Sequence, residues 1–214
     1  RVFDNANSFI GLVKEAESTE GDIHIEEVEY KGISDASFVL DENNNIIFAD
    51  FVSKEGGEYT IKHKTGVLKF KLDKGGRLIF DPESGVIEGD ENTEFQLDNG
   101  EFEVLQFKGF KAHLDEEGNI DFIEIDKGGR FSGTDAEYGS RSGKFNVYFK
   151  EPEKGFENVD GDAIFIEGNK HKFKGRVFME AYNGISYEGL GSNSLATYNR
   201  DIRGRFSILE GDVV

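Results

Sequence analysis

The sequence predicts an all-β chain, and three observations carry that prediction. From Ile23 onward apolar and polar residues alternate in run after run, the period of a strand with one buried face. The runs are punctuated by short Gly- and Asn-bearing segments, and with 27 glycines but only 2 prolines the chain reverses mainly through glycine and asparagine. Strand follows strand without intervening helices, which excludes the parallel α/β folds. At 214 residues the chain suits one domain with a sizeable core or two small ones. Hydrophobic residues are 36% of it, with 20 Phe, 7 Tyr and no Trp, so phenylalanine must fill much of that core.

In chain order, residues 1–20 are the exception. Phe9, Leu12, Val13 and Ala16 fall at i, i+3, i+4 and i+7, with Asn5, Asn7 or Ser8 as caps and Gly21 beyond, which predicts one N-terminal helix capping the core. Residues 21–214 then read as a single β domain. Ile23 to Tyr30 alternates, and Asp35 to Leu40 follows. A strand, acidic turn, strand unit runs from Leu40-Asp41 through Asn45-Ile46-Ile47-Phe48 and returns from Leu114-Asp115 through Asn119-Ile120-Asp121-Phe122. Shorter relatives are Phe80-Asp81-Pro82-Glu83-Ser84-Gly85-Val86 and the Asn99-Gly100 stretch between Leu97 and Phe102.

The stretch from Gly66 to Phe80 organises the middle of the chain. Leu68, Phe70 and Leu72 share one face and Lys69 and Lys71 the other. A three-residue loop at Lys74-Gly75-Gly76 would set Asp73 opposite Arg77, Leu72 opposite Leu78 and Phe70 opposite Phe80. Asp126-Lys127-Gly128-Gly129-Arg130 repeats Asp73 to Arg77 and would set Ile125 opposite Phe131. Lys54-Glu55-Gly56-Gly57-Glu58, with the closing charges exchanged, would set Phe51 opposite Ile61. All three are expected to reverse the chain. Further on, Lys144 to Lys150 is a strand, Glu151-Pro152-Glu153-Lys154-Gly155 breaks it, and Ala163 to Asn169 opens a pair completed through Lys172-Phe173.

Residues 180–205 differ in composition. From Arg176 to Arg205 four Arg (176, 200, 203 and 205) offset the local acids, and tyrosines stand among asparagines and glycines. Such a segment reads as a long ordered loop, a common location for function. Tyr182, Asn183, Tyr187, Asn193, Tyr198, Asn199 and Arg200 offer aromatic faces and amides suited to a sugar or a protein partner, and are the candidate binding residues. The competing reading is that these tyrosines close the last layer of the core.

Two architectures fit. In one, short strands stack as coils of a β-solenoid under the capping helix. In the other, hairpins build an antiparallel sandwich or barrel. The run Leu72-Asp73-Lys74-Gly75-Gly76-Arg77-Leu78-Ile79-Phe80, and the Phe- and Gly-rich strands from Ile23 to about Phe178, resemble the β-solenoid or β-roll regions of large microbial surface proteins. The resemblance implies stacked coils and an extracellular or cell-surface setting, and it brings no functional residue with it. The Gly-Gly loops, read as full reversals, favour the hairpin arrangement, while the end-to-end recurrence, the lean core and the expected cut ends favour the solenoid and put it ahead. Arg1 and the closing Gly211-Asp212-Val213-Val214 are expected to be cut ends of a longer protein.

Charge narrows the function classes. With 25 Lys and Arg against 43 Asp and Glu, the net charge of −18 repels phosphate backbones and anionic lipid. Nucleic acid and membrane surfaces are therefore not expected partners, and membrane insertion is not expected because no apolar run approaches the length of a span, whereas protein, polysaccharide and self-association are expected. Cysteine is absent, so disulfide and thiol chemistry are too. His63 and His171 each lie in Lys-His-Lys, and His24 and His113 complete no metal-ligand spacing, so no transition-metal site is expected. Asp41-Glu42-Asn43-Asn44-Asn45 begins like a calcium loop, but Ile46 stands where glycine is required and Val52 where the closing glutamate belongs. Weak calcium binding at a β turn is the cofactor reading this leaves, beside a plain Asx turn.

The expected function is a non-catalytic structural or interaction module. The alternatives are a carbohydrate-active enzyme using a carboxylate pair on a β face, and a lipid-carrying β groove.

Overall fold

The computed structural model describes residues 2–3, 9–16, 21–25, 28–43, 45–63, 66–97, 105–126, 128–133, 136–168, 170–182, 186–188, 195–200 and 206–211. Most of these are strand; a single 3-10 turn, Phe156–Asn158, is the helical element among them. They fall into two compact units, Arg1–Gln96 with Leu114–Asn119, and Leu97–His113 with Ile120–Val214. Unit 1 holds β1 (Val2–Phe3), β2 (Phe9–Ala16), β3 (Gly21–Ile25), β4 (Val28–Leu40), β5 (Ile46–Ser53), β6 (Gly57–His63), β7 (Gly66–Leu72), β8 (Arg77–Asp81) and β9 (Val86–Leu97). Unit 2 holds most of β10 (Leu105–Leu114), then β11 (Ile120–Ile125), β12 (Phe131–Ser132), β13 (Ala136–Ser140), β14 (Phe145–Tyr148), β15 (Ala163–Glu167), β16 (Lys170–Lys174), β17 (Val177–Ala181), β18 (Ser186–Glu188), β19 (Leu195–Arg200) and β20 (Phe206–Gly211).

The N-terminal helix is not formed. Phe9–Ala16 is β2, antiparallel to β4 with Leu12 opposite Leu40 and Ala16 opposite Ala36. Ile10 and Val13 are β-branched and Gly11 weakens a helix, while a ready strand edge supplies the hydrogen bonds that a short helix would have to make alone. The solenoid is not formed either. Stacked coils would lay successive strands parallel, whereas the described pairs are antiparallel apart from β14 with β15. What is observed is a large mixed sheet, mostly antiparallel, that is not closed among the described residues.

The acidic turns are the reversals. Asp41 N–H donates to Asn45 O (2.9 Å), and Asp41 Oδ1 accepts the Asn43 and Asn45 N–H groups at 2.8 Å each. Its repeat matches it: Asp115 N–H donates to Asn119 O (2.8 Å), and Asp115 Oδ1 accepts from Glu117 (3.1 Å) and Asn119 (2.8 Å). Pro82–Gly85 turns β8 into β9, with Asp81 opposite Val86. The Asn99-Gly100 turn lies outside the described residues.

The Gly-Gly segments do not reverse the chain. β5 pairs with β8 (Phe51 opposite Leu78) and β6 pairs with β7 (Tyr59 opposite Phe70), so β5–β6 and β7–β8 are two long arms side by side, each bent partway. β9 runs past both halves of the second arm, placing Phe95 opposite Phe70 and Ile87 opposite Phe80. The expected facings Leu72 with Leu78, Phe70 with Phe80 and Phe51 with Ile61 are therefore replaced by pairings to other strands. In unit 2, Ile125 lies opposite Phe145, and Phe131 lies opposite Phe107 and Tyr138, not opposite each other.

The bends line up from strand to strand as a hydrogen-bonded seam. Lys54 N–H donates to Gly32 O (2.7 Å), Ser53 N–H to Gly76 O (2.9 Å), Gly75 N–H to Ser53 O (2.7 Å) and Asp73 N–H to Asn92 O (2.7 Å). Unit 2 has its own: Asp126 N–H donates to Gly109 O (3.0 Å) and Arg141 N–H to Arg176 O (2.9 Å). Positive φ at Gly56 (88°), Gly75 (83°) and Gly128 (84°) is what glycine supplies at these bends.

Each unit buries the apolar face of its arms. In unit 1, Tyr30, Phe38, Phe51, Tyr59, Phe70, Phe80 and Phe95 are all inside. Tyr30 and Phe38 lie 5.0 Å apart between ring centres, and Phe70 stacks on Phe95 at 4.9 Å. The buried hydroxyls are paired: Gly56 N–H donates to Ser53 Oγ (2.9 Å), Ser53 Oγ lies 2.7 Å from Tyr59 Oη, Tyr59 Oη donates to Lys31 O (3.0 Å), and Tyr30 Oη donates to Thr60 O (2.6 Å). Burial raises both tyrosine pKa values and keeps these phenols neutral donors. In unit 2, Phe110, Ile123, Ile125, Phe131, Tyr138, Phe145, Val147, Phe173 and Met179 form the core.

Candidate functional site

The tyrosine segment is distributed over several elements. Tyr182 follows β17 and is 60% exposed. Tyr187 is on β18, opposite Met179 of β17, while Tyr198, Asn199 and Arg200 are on β19, with Tyr198 opposite His171 and Ile208 and Asn199 opposite Lys170. Asn183 and Asn193 lie outside the described residues. Strand pairing thus gathers Tyr198, Asn199 and Arg200 on β19, and Tyr182 and Tyr187 on the β17–β18 hairpin.

Sequence reasoning missed a second cluster, on the half-buried face of β10, β11 and β14. His113 stacks on Phe122 at 4.2 Å between centres with the rings 9° from parallel, and Phe122 stacks on Tyr148 at 5.1 Å and 20°. One pleat along, Glu124 receives His113 Nε2 at Oε1 (2.7 Å) and Lys144 Nζ at Oε2. The readable signal was the acidic-turn repeat, which fixes the register of β10 with β11; that β14 would lie alongside was not local information. Lys144 first, with help from His113 against an opposing desolvation, holds the Glu124 carboxyl below the usual carboxylate range.

The connection from β14 to the parallel β15 covers the neighbouring part of that face. Phe156 packs with Val159, Ala163 and Phe165, with Tyr148 at the margin. Glu151 accepts Phe156 N–H at Oε1 (2.8 Å) and Lys172 Nζ at Oε2 (2.7 Å), and Lys172 Nζ also lies over the Phe165 ring. Glu151 likewise titrates below its ordinary range: burial alone would raise it, but the Lys172 and Phe156 hydrogen bonds outweigh that. Asp162 ties two bends together, taking the Ser140 and Ser142 hydroxyls at Oδ2 and Arg176 N–H at Oδ1 (3.1 Å). In unit 1, Asp50 takes Arg77 Nε (2.9 Å) and Nη2 (2.7 Å), and Asp90 receives Arg77 N–H and Asn92 N–H.

Carboxylates used in this way are poor acid catalysts. A glycosidase acid needs a raised pKa, and Glu124 and Glu151 are both pushed down. Asp41 of the calcium-like stretch gives Oδ1 to two backbone N–H groups and Oδ2 to Asn45 Nδ2 (2.8 Å), the Asx-turn reading. Among the described residues no group of three or more His, Asp or Glu could hold a metal ion.

In the core of unit 2, His171 is fully buried, with its Nδ1 3.4 Å from Tyr138 Oη. Desolvation lowers its pKa to about 4, against a smaller upward pull from a Gly168 backbone hydrogen bond. No helix among the described residues is long and apolar enough to cross a membrane. No family model, curated protein or solved structure matches the chain.

Proposed function

We propose that the chain is a non-catalytic structural or interaction module of an extracellular or cell-surface protein, a β scaffold whose partner is a protein or a polysaccharide. The observation that supports this reading is how the acidic side chains are spent. Asp41 and Asp115 fix turns, Asp90 and Asp162 fix bends, and Asp50, Glu124 and Glu151 hold cations. A carboxylate that serves as a fastener has its oxygens saturated and its charge stabilised, which suits rigidity and opposes proton transfer. The exposure of Tyr182 favours the polysaccharide partner, because an open aromatic face is what a sugar ring stacks on.

Incubation with a panel of polysaccharides, read by release of reducing ends, tests the non-catalytic part. No release is expected from any of them. Turnover that disappears in Glu124→Gln would instead establish the carbohydrate-active enzyme.

A further inference from the structure

We propose that the chain cuts its own backbone between Asp81 and Pro82 in mild acid, with the Asp81 carboxylate as nucleophile and the Ser84 hydroxyl stabilising the carbonyl oxygen under attack. The bond is chemically distinct. A proline nitrogen belongs to a tertiary amide with no N–H, and once protonated it leaves more readily than the nitrogen of a secondary amide. An aspartate carboxylate closes a five-membered ring on its own carbonyl carbon. Of the 2 prolines, Pro82 follows aspartate and Pro152 follows glutamate. Glu151 would need a six-membered ring, and its carboxylate already holds Phe156 N–H and Lys172 Nζ.

The turn from β8 to β9 places the reacting groups. Ser84 N–H donates to Asp81 Oδ1 (3.2 Å), and Ser84 Oγ donates to Asp81 O (3.0 Å). The carboxylate and the main-chain carbonyl of Asp81 thus converge on one residue, which holds both on the same side of the backbone, ready for ring closure. The hydroxyl on Asp81 O stands where negative charge develops. Gly85 N–H closes the turn on Pro82 O (3.3 Å), and Asp81 faces Val86. Glu83 and Ser84 are exposed, so water reaches the bond. Asp41 and Asp115 serve as comparisons within the chain: each caps its turn through Oδ1, but Glu42 and Glu116 follow them, and those amides are secondary.

In the reaction Asp81 Oδ2 bonds to the Asp81 carbonyl carbon, and the bond from that carbon to the Pro82 nitrogen breaks. The electron pair stays on nitrogen, which takes a proton from solvent and becomes a secondary amine. Water then opens the five-membered anhydride, restoring the side-chain carboxyl and leaving an α-carboxyl on Asp81. One water is consumed and each chain reacts once, so this is self-processing and not turnover of a substrate. Leu78 with Gly89, Ile79 with Glu88 and Phe80 with Ile87 still pair β8 to β9, so the two pieces are expected to part only on unfolding.

Incubation of the full chain at pH 5, with its β spectrum retained by circular dichroism, beside the same chain unfolded in urea, tests the proposal by intact mass after denaturation. Fragments 1–81 and 82–214 are expected from the folded chain on the order of 10-fold faster than from the unfolded one. Ser84→Ala should fall to the unfolded rate, Ser84→Thr should stay near the wild-type rate, and Asp81→Glu should give neither fragment. A folded chain cut no faster than the unfolded one, or a folded Ser84→Ala cut at the wild-type rate, would overturn the proposal, as would equally fast cuts after Asp41 or Asp115. Should Ser84→Ala not fold, the comparison of folded with unfolded wild-type chain decides alone.

Discussion

Gly76→Ala and Gly129→Ala are expected to destabilise the chain by more than about 3 kcal/mol, while Gly75→Ala and Gly128→Ala cost roughly 1 to 2. A Cβ on Gly76 would lie 2.7 Å from Asn92 O and 3.1 Å from Asp73 O, and one on Gly129 would lie 2.6 Å from both Lys108 O and Ile125 Cγ2. The oxygens are backbone and cannot swing away; Asn92 O is also held by Asp73 N–H. Gly75 and Gly128 face open space, so alanine there meets only the strain of positive φ. Within the Gly75-Gly76 and Gly128-Gly129 pairs the first glycine supplies a backbone angle and the second supplies room for the neighbouring strand. Urea unfolding of the four variants measures the contrast, and Gly75→Asn should recover part of the Gly75→Ala loss because asparagine tolerates positive φ.

Phe70→Ala is expected to cost about 3 to 5 kcal/mol, against a change within about 0.5 for Val67→Ala three residues earlier. Phe70 is buried between Tyr59 on β6 and Phe95 on β9, stacked on the latter, so truncation opens a cavity that three strands must share. Val67 lies on the opposite face and is 58% exposed. The same unfolding experiment compares the two, and equal losses would mean that the faces of β7 are misassigned.

Those faces were legible from the letters. Alternation placed Phe70 and Leu72 inside and Lys69 and Lys71 outside, as observed. The Asp41 and Asp115 turns were also readable, because an aspartate that caps its own turn is a local device. Direction at the Gly-Gly segments was not. A strand that bends and continues keeps Leu72, Gly76, Leu78 and Phe80 buried, the same apolar positions a hairpin would show. The opposed charges of Asp73 and Arg77 suggested a closed loop, yet Arg77 pairs with Asp50, which lies on β5 and is distant in sequence.

The first strand misled for a related reason. Phe9, Leu12, Val13 and Ala16 have helical spacing, but eight residues of Phe-Ile-Gly-Leu-Val-Lys-Glu-Ala are too short to insist on it when β4 offers an edge. Of the candidate binding residues, sequence could mark Tyr182 and Tyr198 as unusual in composition. Their distribution between the β17–β18 hairpin and β19 depends on the pairing of β16 with β19, which no local pattern announces. His113, Glu124 and Lys144 meet for the same nonlocal reason, through β10, β11 and β14.

Because the chain lacks cysteine, introduced pairs report strand neighbours without background. Lys71→Cys combined with Glu94→Cys should form an intramolecular disulfide under mild oxidation, since these positions face each other across β7 and β9. Lys71→Cys with Ile79→Cys should not, because Ile79 faces Asp50 and Glu88 on other strands. The reverse outcome, a bond from position 71 to 79 and none to 94, would mean that the chain turns back at Gly75-Gly76 and that no bend carries the strand onward.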